Sequence, residues 1–241
     1  GVFTAKLDPA RTIFVGHHHT RIGAKTHANV EIGDLLAGLA ARAQRRDWPR
    51  RAPSQLGPIT GAGDDAISAA ALYPRWAGFI APGDIVVAET GTASMGLGFA
   101  LLPKGASFHN QTLWGSIGWA TPAAVGAAIA APKRRTVLIT GEGSHQLTVQ
   151  ELGQFARAGL KPVVFVLNND GYLIERLLCK EPDIAYNDVA PWNYTELPHA
   201  FGCEDWLALR VTTCAELDAA LARANTATTG VYIEVVTDRY A

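Results

Sequence analysis

Apolar and polar positions along the chain change rhythm once. In the first 44 residues the pattern is mixed: 12–15 and 20–22 are short β-prone runs, and Val30, Ile32, Leu35, Leu36 and Leu39 then recur at helical spacing within 30–43. This predicts two strands followed by a helix. From Arg45 to Asp65 the composition shifts to Arg, Pro, Gly and Ser, with Arg45-Arg46 and Arg50-Arg51 beside three prolines. Residues 45–65 are therefore expected to be a linker, and their basic cluster a solvated connector, since only Trp48 adds an aromatic.

Beyond residue 65, wholly apolar runs alternate with helical stretches, which is the pattern of a parallel sheet buried on both faces by crossover helices. Strands are predicted at 84–88, 136–140, 162–167, 207–211 and 231–236. Helices are predicted at 66–79, at 121–131 with Pro122 in the first turn, at 147–158, and after Thr213, where Thr213 and Glu216 form a capping box. The expected fold class is α/β: a doubly wound, mostly parallel sheet with helices on both faces, preceded by the tail of a second α/β domain. The expected boundaries are 1–44, 45–65 and 66–241.

Composition narrows the class of partner. The 21 basic and 22 acidic residues leave a formal net charge of -1, which gathers neither nucleic acid phosphates nor anionic lipid, so a small molecule is the expected ligand. Cys179, Cys203 and Cys214 are odd in number and lack metal-ligand spacing, which fits a reducing cytoplasm. Apolar stretches are broken well short of a membrane span, so a soluble protein is expected.

Open parallel sheets bind ligands beyond the carboxyl ends of their strands. The strand at 136–140 runs into Gly141-Glu142-Gly143-Ser144, where backbone N–H groups would suit a phosphate. A carboxylate there would repel that phosphate unless a cation lay between them. The strand at 162–167 ends in Asn168-Asn169-Asp170-Gly171-Tyr172, which offers amide and carbonyl oxygens. Hard oxygen donors at two strand ends suit magnesium bridging to a diphosphate. A Gly-x-Gly alone is an ordinary tight turn more often than a site. Here, however, residues 144–167 leave 24 positions, room for one helix and one strand, before the amide-rich segment.

That arrangement resembles the thiamine diphosphate fingerprint, Gly-Asp-Gly followed some two dozen residues later by Asn-Asn. Ala88-Glu89-Thr90-Gly91-Thr92, Leu113-Trp114-Gly115-Ser116-Ile117-Gly118, Gln146-Leu147-Thr148-Val149-Gln150-Glu151 and Tyr186-Asn187-Asp188 extend the likeness to pyruvate and indolepyruvate decarboxylases over the whole chain. The resemblance implies a lyase that removes CO2 non-oxidatively from a 2-keto acid and releases an aldehyde, with thiamine diphosphate and Mg2+ as cofactors. In that family an aminopyrimidine-binding domain, a middle domain and a diphosphate-binding domain follow one another. Residues 1–44 match the end of the middle one, and 66–241 the last.

By the same resemblance the metal ligands are the Glu142 carboxylate, the Asn169 side chain and the Gly171 carbonyl. Thr92, Gly143, Ser144 and the backbone at Leu173 and Ile174 would hold the diphosphate. Ile117 matches the apolar residue that bends the cofactor, and the Gly115 carbonyl the acceptor for its amino group. Glu175 takes the place of the catalytic glutamate, which needs a pKa shifted toward working pH; the plain alternative is a solvated residue paired with Arg176 or Lys180. Acetolactate synthases lack that glutamate. Ser94 stands where some relatives carry a large aromatic, implying room for a bulkier substrate.

Three departures stand out. Glu142 replaces the family's aspartate, the activating glutamate and paired histidines of the first domain are not in this chain, and the family's C-terminal helix is absent after Tyr240-Ala241. His17-His18-His19 is expected to be a surface stretch, because residues on a strand alternate faces. His109, His145 and His199 read as packing or rim residues, with His145 near the diphosphate. The pyrimidine-binding domain of an adjacent subunit would complete the site, giving a homodimer or homotetramer. The alternatives are a carboligase of the acetolactate synthase type, a non-catalytic cofactor-binding fragment, and a dinucleotide-binding fold, for which the Gly-x-Gly-x-x-Gly run is missing.

Overall fold

A computed structural model describes residues 6–47 and 55–240. Trp48 and Arg50-Arg51 of the basic stretch, and Ala241, lie outside the described residues. The chain divides into two compact units, Gly1–Ala52 and Pro53–Ala241, and the division falls inside the expected linker.

In the first unit three strands, β1 (Ile13–Gly16), β2 (His19–Ile22) and β3 (Lys25–Ala28), form an antiparallel meander, followed by α1 (Ile32–Ala40). Glu31 and Asp34 close a capping box at the start of α1. The expected pair of strands is thus a set of three. β3 is Lys-Thr-His-Ala and carries no apolar run to announce it. Ile32, Leu36 and Leu39 of α1 are exposed, and Thr20 is the buried residue among those described.

The second unit contains, in chain order, α2 (Ala69–Phe79), β4 (Ile85–Ala88), α3 (Thr92–Leu97), β5 (Ser107–His109), α4 (Ala120–Ala130), β6 (Thr136–Gly141), α5 (Glu142–Thr148), α6 (Leu152–Arg157), β7 (Val163–Asn168), α7 (Leu173–Leu178), α8 (Leu197–Ala200), β8 (Leu207–Val211), α9 (Cys214–Thr226) and β9 (Val231–Val236). Its six strands are all parallel, in the order β5-β4-β6-β7-β9-β8. This differs from the 3-2-1-4-5-6 order of dinucleotide-binding sheets. Alternate residues supply two cores. Val86, Val137, Ile139, Phe165 and Ile233 pack against α2, α3 and α9, while Val87, Leu138, Val164, Val166 and Tyr232 pack against α4 and α6. Two-sided burial explains why these strands read as unbroken apolar runs.

Two predicted helices change shape. The first begins at Ala69, because the Ser68 hydroxyl caps it by accepting the Ala71 N–H at 3.2 Å; Ala66 instead bridges Thr213. The helix predicted at 147–158 starts five residues early, directly out of β6 at Glu142, and a 3-10 turn at Val149–Glu151 divides it. Glycine and glutamate in Gly141-Glu142-Gly143 hid that start, since a helix with glycine in its first turn carries no apolar period.

The expected linker is also partly structured. Buried Arg75 donates to the carbonyls of Thr60 (2.7 Å) and Gly61 (2.8 Å) and pairs with Asp218 of α9 at 2.7 Å. Residues 60–61 are therefore fastened to the second unit. Replacing Arg75 by Met is expected to lower unfolding free energy by roughly 2 kcal/mol, the value of one hydrogen bond to a charged group. Limited proteolysis should then cut within 56–65 faster, and an unchanged cleavage rate would show the segment to be held by other contacts.

Candidate functional site

β6 and β7 are paired so that Gly141 lies opposite Leu167. The residues that follow, Glu142 on one strand and Asn168-Asn169 on the other, therefore emerge side by side at the carboxyl edge. β5 and β6 flank β4, so the chain reverses direction across the sheet between β4 and β6, the place where open sheets open a crevice. A cavity of about 640 Å³ opens there. The eleven residues expected to bind metal or cofactor or to act in catalysis line it: Thr92, Gly115, Ile117, Glu142, Gly143, Ser144, Asn169, Gly171, Leu173, Ile174 and Glu175.

At its floor, Glu142 is buried, and its Oε1 accepts the Gly171 N–H at 2.7 Å. One terminal atom of the Asn169 amide stands 3.3 Å from Glu142 Oε2 and 3.2 Å from the Gly171 carbonyl oxygen. With nitrogen in that position the amide donates to both. With oxygen there, three acceptors converge, an arrangement that calls for a proton on Glu142 or a cation among them. Burial pushes the Glu142 carboxyl up to about 7, against the opposing effect of the Gly171 N–H. Gly171 has φ 139°, and a methyl group on it would overlap the Arg176 guanidinium and the Asn187 carbonyl. Only glycine fits there. At Gly143 a side chain would run into the Tyr172 ring, so that ring closes over α5 because residue 143 has none.

The far wall is a loop organised by residues that carried no assigned role. Fully buried Glu89, one residue past β4, accepts the N–H groups of Thr90 (2.9 Å), Gly118 (3.1 Å) and Ala120 (3.1 Å). Burial raises its pKa, and those three donors oppose the rise. The Gln111 side chain accepts the N–H groups of Trp114 and Gly115, both at 3.1 Å, and the Thr90 hydroxyl donates to the Gln111 carbonyl at 3.0 Å. Gly115 (φ 67°) and Ile117 are thereby presented to the cavity. A carboxylate directly after an apolar strand was the signal available for Glu89.

The remaining wall is α7. Glu175 is exposed at the cavity, and among the described residues it has no ion pair; Arg176 turns inward to Asp188 instead. Tyr172, Tyr186 and Met95 also line the cavity, though the sequence had not singled them out as site residues. Ser94 does not line it. Its buried hydroxyl donates to the Gly91 carbonyl at 3.2 Å, so α3 presents Thr92, Ala93 and Met95 in its place.

Among the histidines, His145 is fully buried beneath the site, with Nδ1 3.2 Å from the Thr121 hydroxyl and Nε2 without a partner; burial lowers its pKa to about 3. It packs and does not face the cavity. His17 and His18 form the turn between β1 and β2, and only His19 is in a strand. Alternation of faces therefore does not separate the first two: with Glu31 they offer ligand atoms within 4.8 Å of one another, on an exposed surface. Among the described residues no helix is long and apolar enough to cross a membrane.

Comparison with known proteins matches this architecture to a family. The family model described as "Thiamine pyrophosphate enzyme, C-terminal TPP binding domain" matches residues 84–235. A protein named alpha-keto-acid decarboxylase from Mycobacterium avium (strain 104) is 44% identical over 99% of this chain and 43% of its own length. One of the same name from Mycobacterium tuberculosis (strain ATCC 25618 / H37Rv) is 43% identical over 92% of this chain and 40% of its own. The chain thus spans less than half the length of these relatives. The solved thiamine diphosphate-dependent 4-hydroxybenzoylformate decarboxylase of Rhodococcus jostii RHA1 superposes with a TM-score of 0.68 over 85% of this chain and 38% of that one, at 23% identity. At that identity the likeness is one of fold.

The raised pKa of Glu142 has a consequence for stability. The folded chain keeps this proton up to about pH 7, whereas the unfolded chain releases it near 4.5. The contribution is complete below the unfolded value and is lost as pH rises through the folded one. In metal-free buffer, wild-type stability relative to Glu142→Gln is expected to fall by on the order of 3 kcal/mol between pH 4.5 and 7.5. Urea melts across that window measure the difference, and a constant difference would contradict the buried, proton-holding carboxyl.

Proposed function

The chain belongs to the thiamine pyrophosphate enzymes and carries their C-terminal TPP binding domain, and from that premise we propose that it is the diphosphate- and metal-holding part of a 2-keto acid decarboxylase that works with thiamine diphosphate and Mg2+. The observation that carries the reading is the convergence of Glu142 Oε2, the Asn169 amide and the Gly171 carbonyl beside an open cavity. The Asn169 amide reaches both partners at once, 3.3 Å to Glu142 Oε2 and 3.2 Å to the Gly171 carbonyl, and turning that amide over would offer its oxygen in the same place. The donor set, a carboxylate, an amide oxygen and a carbonyl, suits a hard cation.

In this reading the three oxygens hold Mg2+, and Thr92, Gly143, Ser144 and the backbone at Leu173 and Ile174 hold the diphosphate. Ile117 supports the thiazolium ring, and the Gly115 carbonyl accepts from the pyrimidine amino group. Bound thiamine diphosphate supplies the electron sink that accepts the pair left when the bond to the departing carboxylate breaks. The protein's part is to orient, to exclude water and to manage the proton. Glu175 does the last, holding at its carboxyl the proton exchanged at the carbon that has lost CO2, before the aldehyde leaves.

Glu175 needs cover to do so, and in this chain it is exposed. We assign the cover to the pyrimidine-binding domain of an adjacent subunit in a homodimer or homotetramer. The loop bearing Gly115 also bears the exposed side chains Leu113 (92%) and Trp114 (85%), and exposed Tyr186 lines the cavity; exposed apolar groups beside a cavity are what a docking surface buries. Three unpaired cysteines accord with a cytoplasmic enzyme. The relatives named alpha-keto-acid decarboxylase support the substrate class. The absence of an aromatic side chain among Thr92, Ala93 and Met95 on α3 leaves room for a side chain larger than methyl.

A product screen over pyruvate, phenylpyruvate, indolepyruvate and branched-chain keto acids, with a pyrimidine-binding domain supplied, tests this. Aldehyde and CO2 are expected, and formation of a new C–C bond from pyruvate would instead indicate a carboligase. Glu175→Gln should leave cofactor uptake nearly intact while aldehyde formation falls by ~10²–10⁴. Unchanged turnover in that variant would remove Glu175 from the mechanism.

A further inference from the structure

We propose that Arg176 is a positioning residue for the metal site: it grips the Asp170–Gly171 peptide from the side opposite Glu142 and so aims the Gly171 carbonyl. The inference rests on the reading of that carbonyl as a metal ligand. Arg176 is fully buried in α7, next to Glu175. Its Nη2 donates to the Asp170 carbonyl at 2.7 Å and to Asp188 Oδ1 at 2.7 Å, and its Nη1 to the Pro182 carbonyl at 3.2 Å.

The Asp170 carbonyl and the Gly171 N–H belong to one planar peptide. Arg176 holds the first, and Glu142 accepts the second at 2.7 Å. That plane cannot rotate without breaking one of the two bonds. Both flanking residues are in the left-handed region, Asp170 at φ 58° and Gly171 at φ 139°, so the backbone there does not hold itself. The next residue is also fixed, since the Tyr172 N–H donates to the Asn187 carbonyl at 2.9 Å. The Gly171 carbonyl shares a peptide plane with that Tyr172 N–H, so the two held planes that meet at Gly171 point it at Asn169.

Arginine suits this task and lysine does not. A planar fork places one nitrogen on two acceptors and a second nitrogen on a third, whereas an ammonium is a point charge on a flexible stem. The half-exposed carboxylate of Asp188 compensates the buried cation. A merely structural role would make Arg176 a pin for the segment 182–188. Asp188 separates the two roles, because it shares the guanidinium but does not touch the peptide.

The test measures Mn2+ affinity by electron paramagnetic resonance in the presence of thiamine diphosphate, and amide exchange at Gly171 in metal-free protein. Arg176→Lys and Arg176→Met are expected to weaken Mn2+ binding by ~10–100-fold, the usual cost of losing an outer partner of a ligand, and to speed exchange at Gly171. Asp188→Asn should lower the melting temperature while leaving the affinity close to that of the wild type. Wild-type affinity in both Arg176 variants overturns the inference alone. Equal losses in Asp188→Asn and Arg176→Lys do the same, since affinity would then only follow stability. If Arg176→Met fails to fold, Arg176→Lys still reports. A wild-type chain that takes up no Mn2+ with thiamine diphosphate even when a pyrimidine-binding domain is supplied refutes the proposed function, and Arg176 is then a structural pin.

Discussion

The pairing of β6 with β7 is the constraint on which the site depends. Parallel neighbours deliver their carboxyl ends to the same edge of a sheet, and the register that sets Gly141 opposite Leu167 turns a long separation in sequence into a 2.7 Å contact between Glu142 and the Gly171 N–H. The register is held in turn by apolar side chains on both faces, with Ile139 and Phe165 facing one core and Leu138 and Val166 the other. A slip of one residue would exchange the two faces and move Glu142 away from Gly171 at once. Packing far from the cavity thus sets distances inside it.

Electrostatics explains why so few residues can occupy that edge. Glu142 and Glu89 are both buried carboxylates, and burial raises the pKa of each, but they are satisfied differently. Glu89 has three backbone donors and behaves as an internal strut for the loop bearing Gly115 and Ile117. Glu142 has one oxygen committed to Gly171, while the other faces Asn169 and the Gly171 carbonyl. A carboxylate left in such company resists ionisation, and a divalent ion would relieve it. Glu142 starts α5 straight out of the strand, and one of its carboxylate oxygens reaches across to the neighbouring loop.

Much of this was legible in the chain. The apolar runs of β4, β6, β7, β8 and β9 declared a parallel sheet, and the acidic and amide-rich tips lie together at the edge where the cavity opens, because two-sided burial and strand-end chemistry both leave marks in local composition. The missed pieces lack such marks. α3 is six residues between glycines, β5 is a three-residue edge strand of Ser-Phe-His, and α7 is too short to show a period. Arg176 could not be found from spacing, since its partners Asp170, Pro182 and Asp188 are brought to it by the return of the chain. Ser94 was read without its helix, since α3 leaves no period in the sequence, and its hydroxyl turns back to the Gly91 carbonyl and away from the cavity.

If Glu142, Asn169 and Gly171 share one cation with a diphosphate, the two ligands must strengthen each other equally, because linkage is reciprocal. The direct measurement is calorimetric titration of this chain with thiamine diphosphate with and without Mg2+, and with Mg2+ with and without thiamine diphosphate. The account predicts one site for each, with the same factor of enhancement in both directions. Diphosphate affinity indifferent to Mg2+ would contradict it.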